Sequence, residues 1–313
     1  METDRFPIVR YLRTCSYLWR ELNMFSDRVL KGKKILITGG GTGIGKSLGT
    51  RFTELGAEIV ICGRREEVLK GTVAEWTKSG AKASYFVCDI RQPDKVEAMF
   101  EEIWRDRPLD GLVNNAAGNF IARTETLSPR AFDSVINIVL HGSAYCTLAA
   151  GKRWIEGKHR GTILSILTTS AWQGRAFMVP SATAKAGVLS MMRSLATEWG
   201  PKGIRTVMVA PGIFPTPGAS ARLYPDPAEY EAQVERIPVG RVGQHAELAN
   251  LCSYLMCEYA GFINGDCITM DGGAGLVEGG GGTVQYLHSW GSEQWAEFRA
   301  RAATTVASPS NKA

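Results

Sequence analysis

The middle of this 313-residue sequence lacks tyrosine: none occurs between Tyr145 and Tyr224. A site built there has no phenol to use as an acid. No CxxC pair exists among the seven cysteines (15, 62, 88, 146, 252, 257 and 267), which are odd in number and sit mostly in apolar runs. That pattern argues against a disulfide framework or a cysteine zinc site and reads as buried thiols in a reducing compartment. The histidines at 141, 159, 245 and 288 have no ligand spacing, so no metal is expected. No run reaches the ~18 apolar residues of a membrane span, and Glu2, Asp4 and Arg5 precede any apolar run. The expectation is a soluble, cytoplasmic protein with no integral membrane segment. There is also no run of five like charges. The 36 basic and 31 acidic residues are spread along the chain, which gives nucleic-acid binding little support.

What is present is a repeating unit. KILIT, EIVIC, ASYFV, DGLVN, TILSIL, TVMVA and DCITM are short β-branched runs separated by helical periods, starting at Lys34. This spacing predicts an α/β fold: a single doubly wound Rossmann domain whose seven-stranded parallel sheet is flanked by helices. The domain is placed at 32–275, after an N-terminal helical extension at 1–31 and before a Gly-rich, partly helical tail at 276–313. In the extension, Ile8, Leu12, Cys15, Trp19 and Leu22 form one apolar stripe at helical spacing, suited to packing on the body or a neighbouring subunit. The tail carries EGGGGT and then an amphipathic stretch through Trp290, Trp295 and Phe298.

Between the first strand and its helix stands TGGGTGIG, Thr38 to Gly45. Gly39, Gly41, Thr42, Gly43, Ile44 and Gly45 form a turn whose backbone can approach a pyrophosphate, which the helix N-terminus favours electrostatically. About 20 residues on, where an acid would hold the ribose diol of NAD, Arg64 and Arg65 offer guanidinium groups to a 2′-phosphate. NADPH is therefore the expected cofactor. The alternative is that both arginines are solvated at a helix start, where the dipole disfavours them.

TGGGTGIG, CDI at Cys88–Ile90, NNAAG at Asn114–Gly118, Lys185 and PGIF at Pro211–Phe214 occur in one order. In this the chain resembles the short-chain dehydrogenase/reductase family over about residues 32–275. NNAAGNF, VPSATAKAG, RIPVGRVG and MDGG look like its 2,4-dienoyl-CoA reductase branch. That resemblance implies further cofactor contacts at Asp89, Ile90, Asn115 and Ala116, at Lys185 on the nicotinamide ribose, and at Pro211, Gly212, Ile213 and Phe214 on the carboxamide side. It implies acyl-CoA contacts at Arg91, Phe120, Ser128 and Arg222, with Asn119 supporting the thioester. Each of these has a structural reading too: loop cap, core ring, helix N-cap or surface arginine. The family's oligomers imply a homotetramer.

Two departures bear on mechanism. The wider family's tyrosine four residues before the lysine is Ser181 here, a loss the dienoyl-CoA branch shares. The branch's own tyrosine, counted from SIL, falls on Ser170. Hydride arriving at the δ carbon of a dienoyl thioester moves charge to the thioester oxygen, where a donor must hold the enolate before the α carbon is protonated. Serine can donate but is a poor acid, so water would supply the proton. The catalytic set expected is Lys185, Asn119, Ser170 and Ser181, acting on an acyl-CoA. A dehydrogenase or ketoreductase acting on a bulky hydroxyacyl-CoA and a non-catalytic NADPH-binding protein are the alternatives.

Overall fold

The computed structural model describes residues 28–216, 227–278, 287 and 289–307. The N-terminal stripe Ile8–Leu22, the substrate candidate Arg222, His288 and the glycine run after Glu278 lie outside the described residues.

Seven strands form: β1 Lys34–Thr38, β2 Glu58–Gly63, β3 Ala83–Val87, β4 Gly111–Asn114, β5 Gly161–Ile166, β6 Ile204–Pro211 and β7 Cys267–Met270. They make one sheet in the order β3-β2-β1-β4-β5-β6-β7. Every pairing is parallel. The expected doubly wound sheet is thus observed, and its order reverses between β1 and β4. A crevice opens at the carboxyl ends of the strands at such a switch point.

Alternation within strands feeds two cores. Ile35, Ile37, Val113, Leu164 and Val207 face one side, packed with Leu48, Phe52, Trp76 and Leu255. These come from helices α1 (Gly43–Glu54), α2 (Glu66–Lys78) and α9 (His245–Met256). Leu36, Leu112, Ile163 and Met208 face the other, against Phe100, Cys146, Trp154 and Met192. Those helices are α3 (Pro93–Asp106), α5 (Gly142–Glu156) and α7 (Val179–Trp199). The remaining described helices are α4 (Pro129–Ile136), the short α6 (Ser170–Gln173), α8 (Pro227–Glu235), α10 (Ala274–Glu278) and α11 (Ser292–Ala307).

Close approach of helix to sheet and helix to helix is bought at three glycines that lie under tryptophans. A Cβ at Gly49 would fall 2.3 Å from Trp76, at Gly151 2.4 Å from Trp199 and at Gly161 2.5 Å from Trp154. Trp154 is fully buried, and its Nε1 donates to the Leu109 carbonyl at 2.6 Å.

Helix α4 runs into α5 through a π-helical turn, Asn137–His141. The joined run, Pro129–Glu156, is the one described helix that is long and apolar enough to cross a membrane, and half of its most apolar window is buried inside the protein. Cys146, Ala149, Ala150 and Trp154 give their part of that apolarity to the core.

Candidate active site

Thr38, the last residue of β1, ties the two switch-point strands together. Its hydroxyl donates to the Val113 carbonyl at 3.2 Å and accepts from the amides of Asn115 and Ala116, both at 3.0 Å. Asn115 Nδ2 in turn donates to the Thr38 carbonyl at 2.8 Å. The glycine turn is built against this frame: Gly39 and Gly43 take left-handed φ values of 66° and 54°. The buried Thr72 hydroxyl holds the Gly41 carbonyl at 3.0 Å. Thr42 caps α1 only by its backbone conformation, with no side-chain cap bond, and the first turn that follows, with Ile44, holds no acid. The positive end of α1 is therefore left for an external anion.

The end of β2 presents Arg64 and Arg65, both exposed. At the end of β3 Asp89 is clamped by Arg91, with Nε to Oδ1 at 2.9 Å and Nη2 to Oδ2 at 2.5 Å. That fork holds the Asp89 carboxyl below its usual range, aided by the charge of Arg64. Ile90 is buried and fills the space a Cβ on Gly142 would take, 2.6 Å away. Ser128 is the N-cap of α4, its hydroxyl accepting from the Ala131 amide at 3.2 Å. Phe120 packs half-buried on a small cluster of Val135, Val139 and Ala184.

The far wall follows β6. Gly212 donates its amide to Met270 at 2.9 Å, and a Cβ there would meet Asp271 Cα at 2.8 Å. The Ile213 carbonyl accepts from Gly243 at 2.9 Å, and Phe214 is buried beneath Gly243. Thr216 then returns to the glycine turn, its methyl 3.3 Å from where a Gly43 Cβ would stand.

Ser181 and Lys185 lie one turn apart on α7, each 8% exposed. The Lys185 ammonium donates to the Ile166 carbonyl at the end of β5. Burial lowers its pKa to about 8. Ser170 opens α6 and its hydroxyl donates to Thr168 Oγ1 at 3.3 Å. Asn119 folds back on itself, Oδ1 accepting from the Phe120 amide at 2.9 Å, and its Nδ2 meets Met178 Sδ at 3.5 Å, just before α7. A cavity of about 290 Å³ lies beside α6, lined by Ser170, Trp172, Arg175, Val179 and Ala182 among others. Of the predicted catalytic set, Ser170 lines it, whereas Asn119, Ser181 and Lys185 do not.

The model of one branch of short-chain dehydrogenases, described as enoyl-(acyl carrier protein) reductase, matches residues 39–275. The chain belongs to the short-chain dehydrogenase/reductase family. It is 42% identical over 278 residues to a probable 2,4-dienoyl-CoA reductase of Caenorhabditis elegans described as (3E)-enoyl-CoA-producing, covering 87% of this chain and 89% of that one. A probable 2,4-dienoyl-CoA reductase of Bacillus subtilis, described as (2E)-enoyl-CoA-producing, is 41% identical over 79% of this chain and 98% of its own length. A crystal structure of a short chain dehydrogenase from Bacillus anthracis is 40% identical, with TM-score 0.71, over 77% of this chain and 96% of that one.

As a member of this family the protein is an oxidoreductase with a dinucleotide site of the NAD(P) type. The uncapped start of α1 and the left-handed glycines fit the phosphates of such a group, and Arg64 and Arg65 lie at the end of the next strand. Several supporting residues escaped the sequence reading. Thr38 was legible only as part of the glycine motif. Asp271 holds the amides of Gly273 and Gly275 at 2.9 and 2.7 Å, a role hidden in MDGG. His141 is exposed; its Nδ1 bonds Asn137 Oδ1 at 2.9 Å and its ring stacks on Tyr145. His245 has no partner near it in sequence and has two in space.

Proposed function

We propose that this protein reduces a conjugated 2,4-dienoyl-CoA with NADPH, in the catabolism of fatty or related acyl groups. The observation that carries the reading is the make-up of the site: a buried lysine and serine hydroxyls, with no phenol at either of the two positions where one would stand. Reduction of a carbonyl needs an acid at its oxygen. Reduction of a dienoyl thioester needs only donors there, because the proton goes to carbon. The dinucleotide, held by the glycine turn with Arg64 and Arg65 beside it, would supply the hydride that the δ carbon needs. Asn119 orients the thioester, and Ser170, Ser181 and the Lys185 ammonium stabilise the enolate oxygen while water protonates the α carbon to give a 3-enoyl-CoA. Protonation at the γ carbon would give the 2-enoyl isomer, the product in the name of the Bacillus subtilis relative. Arg91, Phe120, Ser128 and Arg222 are proposed to contact the acyl-CoA, with Asp89 on the adenine side. The chain is proposed to act in the cytoplasm as a homotetramer, which light scattering reads directly.

The test is loss of NADPH absorbance with a trans-2,trans-4-dienoyl-CoA, with the product identified by chromatography. Turnover to a 3-enoyl-CoA is expected, with kcat about a hundredfold lower in Ser170→Ala. Ser170→Tyr is expected to be active as well. Silence from both native chain and Ser170→Tyr, with tight NADPH binding, would reject the substrate class. Turnover of a ketoacyl-CoA instead would assign carbonyl reduction.

Cofactor choice has its own test. Arg64→Glu with Arg65→Gln is expected to weaken NADPH by about 30-fold or more while leaving NADH within a few-fold, because two guanidinium groups facing a 2′-phosphate are lost. Equal losses for both cofactors would remove the arginines from the specificity argument.

A further inference from the structure

Resting on the dinucleotide reading above, the geometry points to His245 as a positioning residue. It latches the loop Ile213–Thr216, through the Pro215 carbonyl, to the start of α9, with Ser47 in the second turn of α1 orienting the ring, and thereby sets how tightly the dinucleotide is held.

His245 is the first residue of α9 and is half-buried. Its Nδ1 lies 2.7 Å from Ser47 Oγ on α1, and its Nε2 lies 2.9 Å from the Pro215 carbonyl. A carbonyl can only accept, so Nε2 carries a hydrogen. In the neutral ring Nδ1 is then an acceptor, and the Ser47 hydroxyl has to donate to it. That hydroxyl also stands 3.1 Å from the Gly43 carbonyl, so one hydrogen faces two acceptors and the ring nitrogen is the nearer. Both ring nitrogens are spent on the bridge. The imidazole acts as a strut rather than as an acid or base.

The two things it joins are the two walls of the nucleotide cleft. Ser47 stands on the helix whose uncapped start faces the phosphates. Pro215 lies in the loop expected over the carboxamide, directly before Thr216, which packs on Gly43. Proline has no N–H, so its carbonyl is the one backbone group by which it can be held. The Phe214 ring lies beside the imidazole, centroids 6.5 Å apart, and fixes its approach. Neighbouring charges are neutralised by pairing: Arg51 with Glu54 and Lys46 with Glu75 on the α1 side, Glu247 with Arg241 on the α9 side.

Two half-isosteres separate the ends of the strut. Asparagine places a polar atom where Nδ1 stands and cannot reach Pro215; glutamine places an amide nitrogen where Nε2 stands. NADPH dissociation constants, measured by NADPH fluorescence, are expected to rise about 5–10-fold in His245→Asn and to stay within about twofold in His245→Gln. kcat at saturating NADPH should be unchanged in both. In the cofactor-free chain, amide hydrogen exchange at Ile213, Phe214 and Thr216 should be faster in His245→Asn than in the native protein or His245→Gln. Equal affinity and equal exchange in all three would overturn the latch. Equal damage by both substitutions, tracking a fall in Tm, would reduce His245 to a packing residue and overturn it too. If the native chain bound neither NADPH nor NADH, the dinucleotide reading would fail and take the affinity half of the latch with it, whereas loop exchange would still report on the strut.

Discussion

Lys185→Met will lower kcat/KM for a dienoyl-CoA by about a hundred- to a thousandfold, with NADPH binding weakened several-fold. The lysine is buried, carries its charge at the end of β5, and is held there by the Ile166 carbonyl. Removing one pre-organised donor from a developing oxyanion typically costs this much. Burial has already lowered the lysine's pKa to about 8, so the pH profile is part of the prediction. The cation is the useful form, and kcat/KM of the native enzyme should fall as pH rises through about 8. The methionine variant should lack that limb. The stability effect has the opposite sign. With the folded pKa below the ordinary lysine value, the unfolded chain binds more protons between the two, and this residue's contribution to stability rises with pH across that window. A Lys185→Met enzyme with native kcat/KM, or a native profile flat through pH 8, would remove the lysine from the chemistry.

Gly45→Ala is expected to abolish measurable dinucleotide binding and to lower unfolding free energy by about 1–3 kcal/mol. Its φ is ordinary; the obstacle is space. A Cβ there would stand 2.5 Å from Asn115 Nδ2 and 2.6 Å from the Gly39 carbonyl. Neither neighbour is free to retreat. Asn115 Nδ2 is bonded to Thr38 at 2.8 Å, and Gly39 holds the Cys62 carbonyl at 2.8 Å in the same turn. The damage would therefore reach the frame that joins β1 to β4. Gly71→Ala is the control, on the exposed side of α2 with nothing within 4 Å of its Cβ. Helix propensity alone predicts that it stabilises by roughly 0.5–1 kcal/mol. Calorimetry and NADPH titration on the two alanine variants check both statements, and native-like binding by Gly45→Ala would show that the turn has slack the packing denies.

The sheet was legible because parallel strands covered on both faces read as unbroken apolar runs: KILIT is buried at every position. Even Lys34 fits, its ammonium reaching Asp106 at 2.7 Å at the strand's amino end. The α7 helix begins at Val179, with Pro180 well placed in the first turn and Met178 as its cap. The glycine turn, the arginine pair and the lysine were legible because each is a short local pattern. What could not be read was pairing between distant segments. Nothing in CDIR tells that Arg91 doubles back on Asp89. A histidine two hundred residues from its serine gives no signal at all. Asn119 reads as a thioester support and is found holding the Phe120 amide and facing Met178.

The π turn at Asn137–His141 has a consequence for phase. An i→i+5 turn holds one residue more than the α-helix around it, so it offsets everything after it by about 100° relative to everything before. Val135 ahead of the turn and Val139 within it pack with Ala184 of α7, whereas Cys146, Ala150 and Trp154 behind it face the sheet. One continuous rod thus serves two neighbours in different directions. Deleting a single residue from the turn would shorten the rod by little and rotate its rear half out of register, which loss of the Trp154 bond to Leu109 would reveal. The extra residue works as a vernier, setting the angle at which the front of the rod, with α4, meets the sheet that its rear half covers.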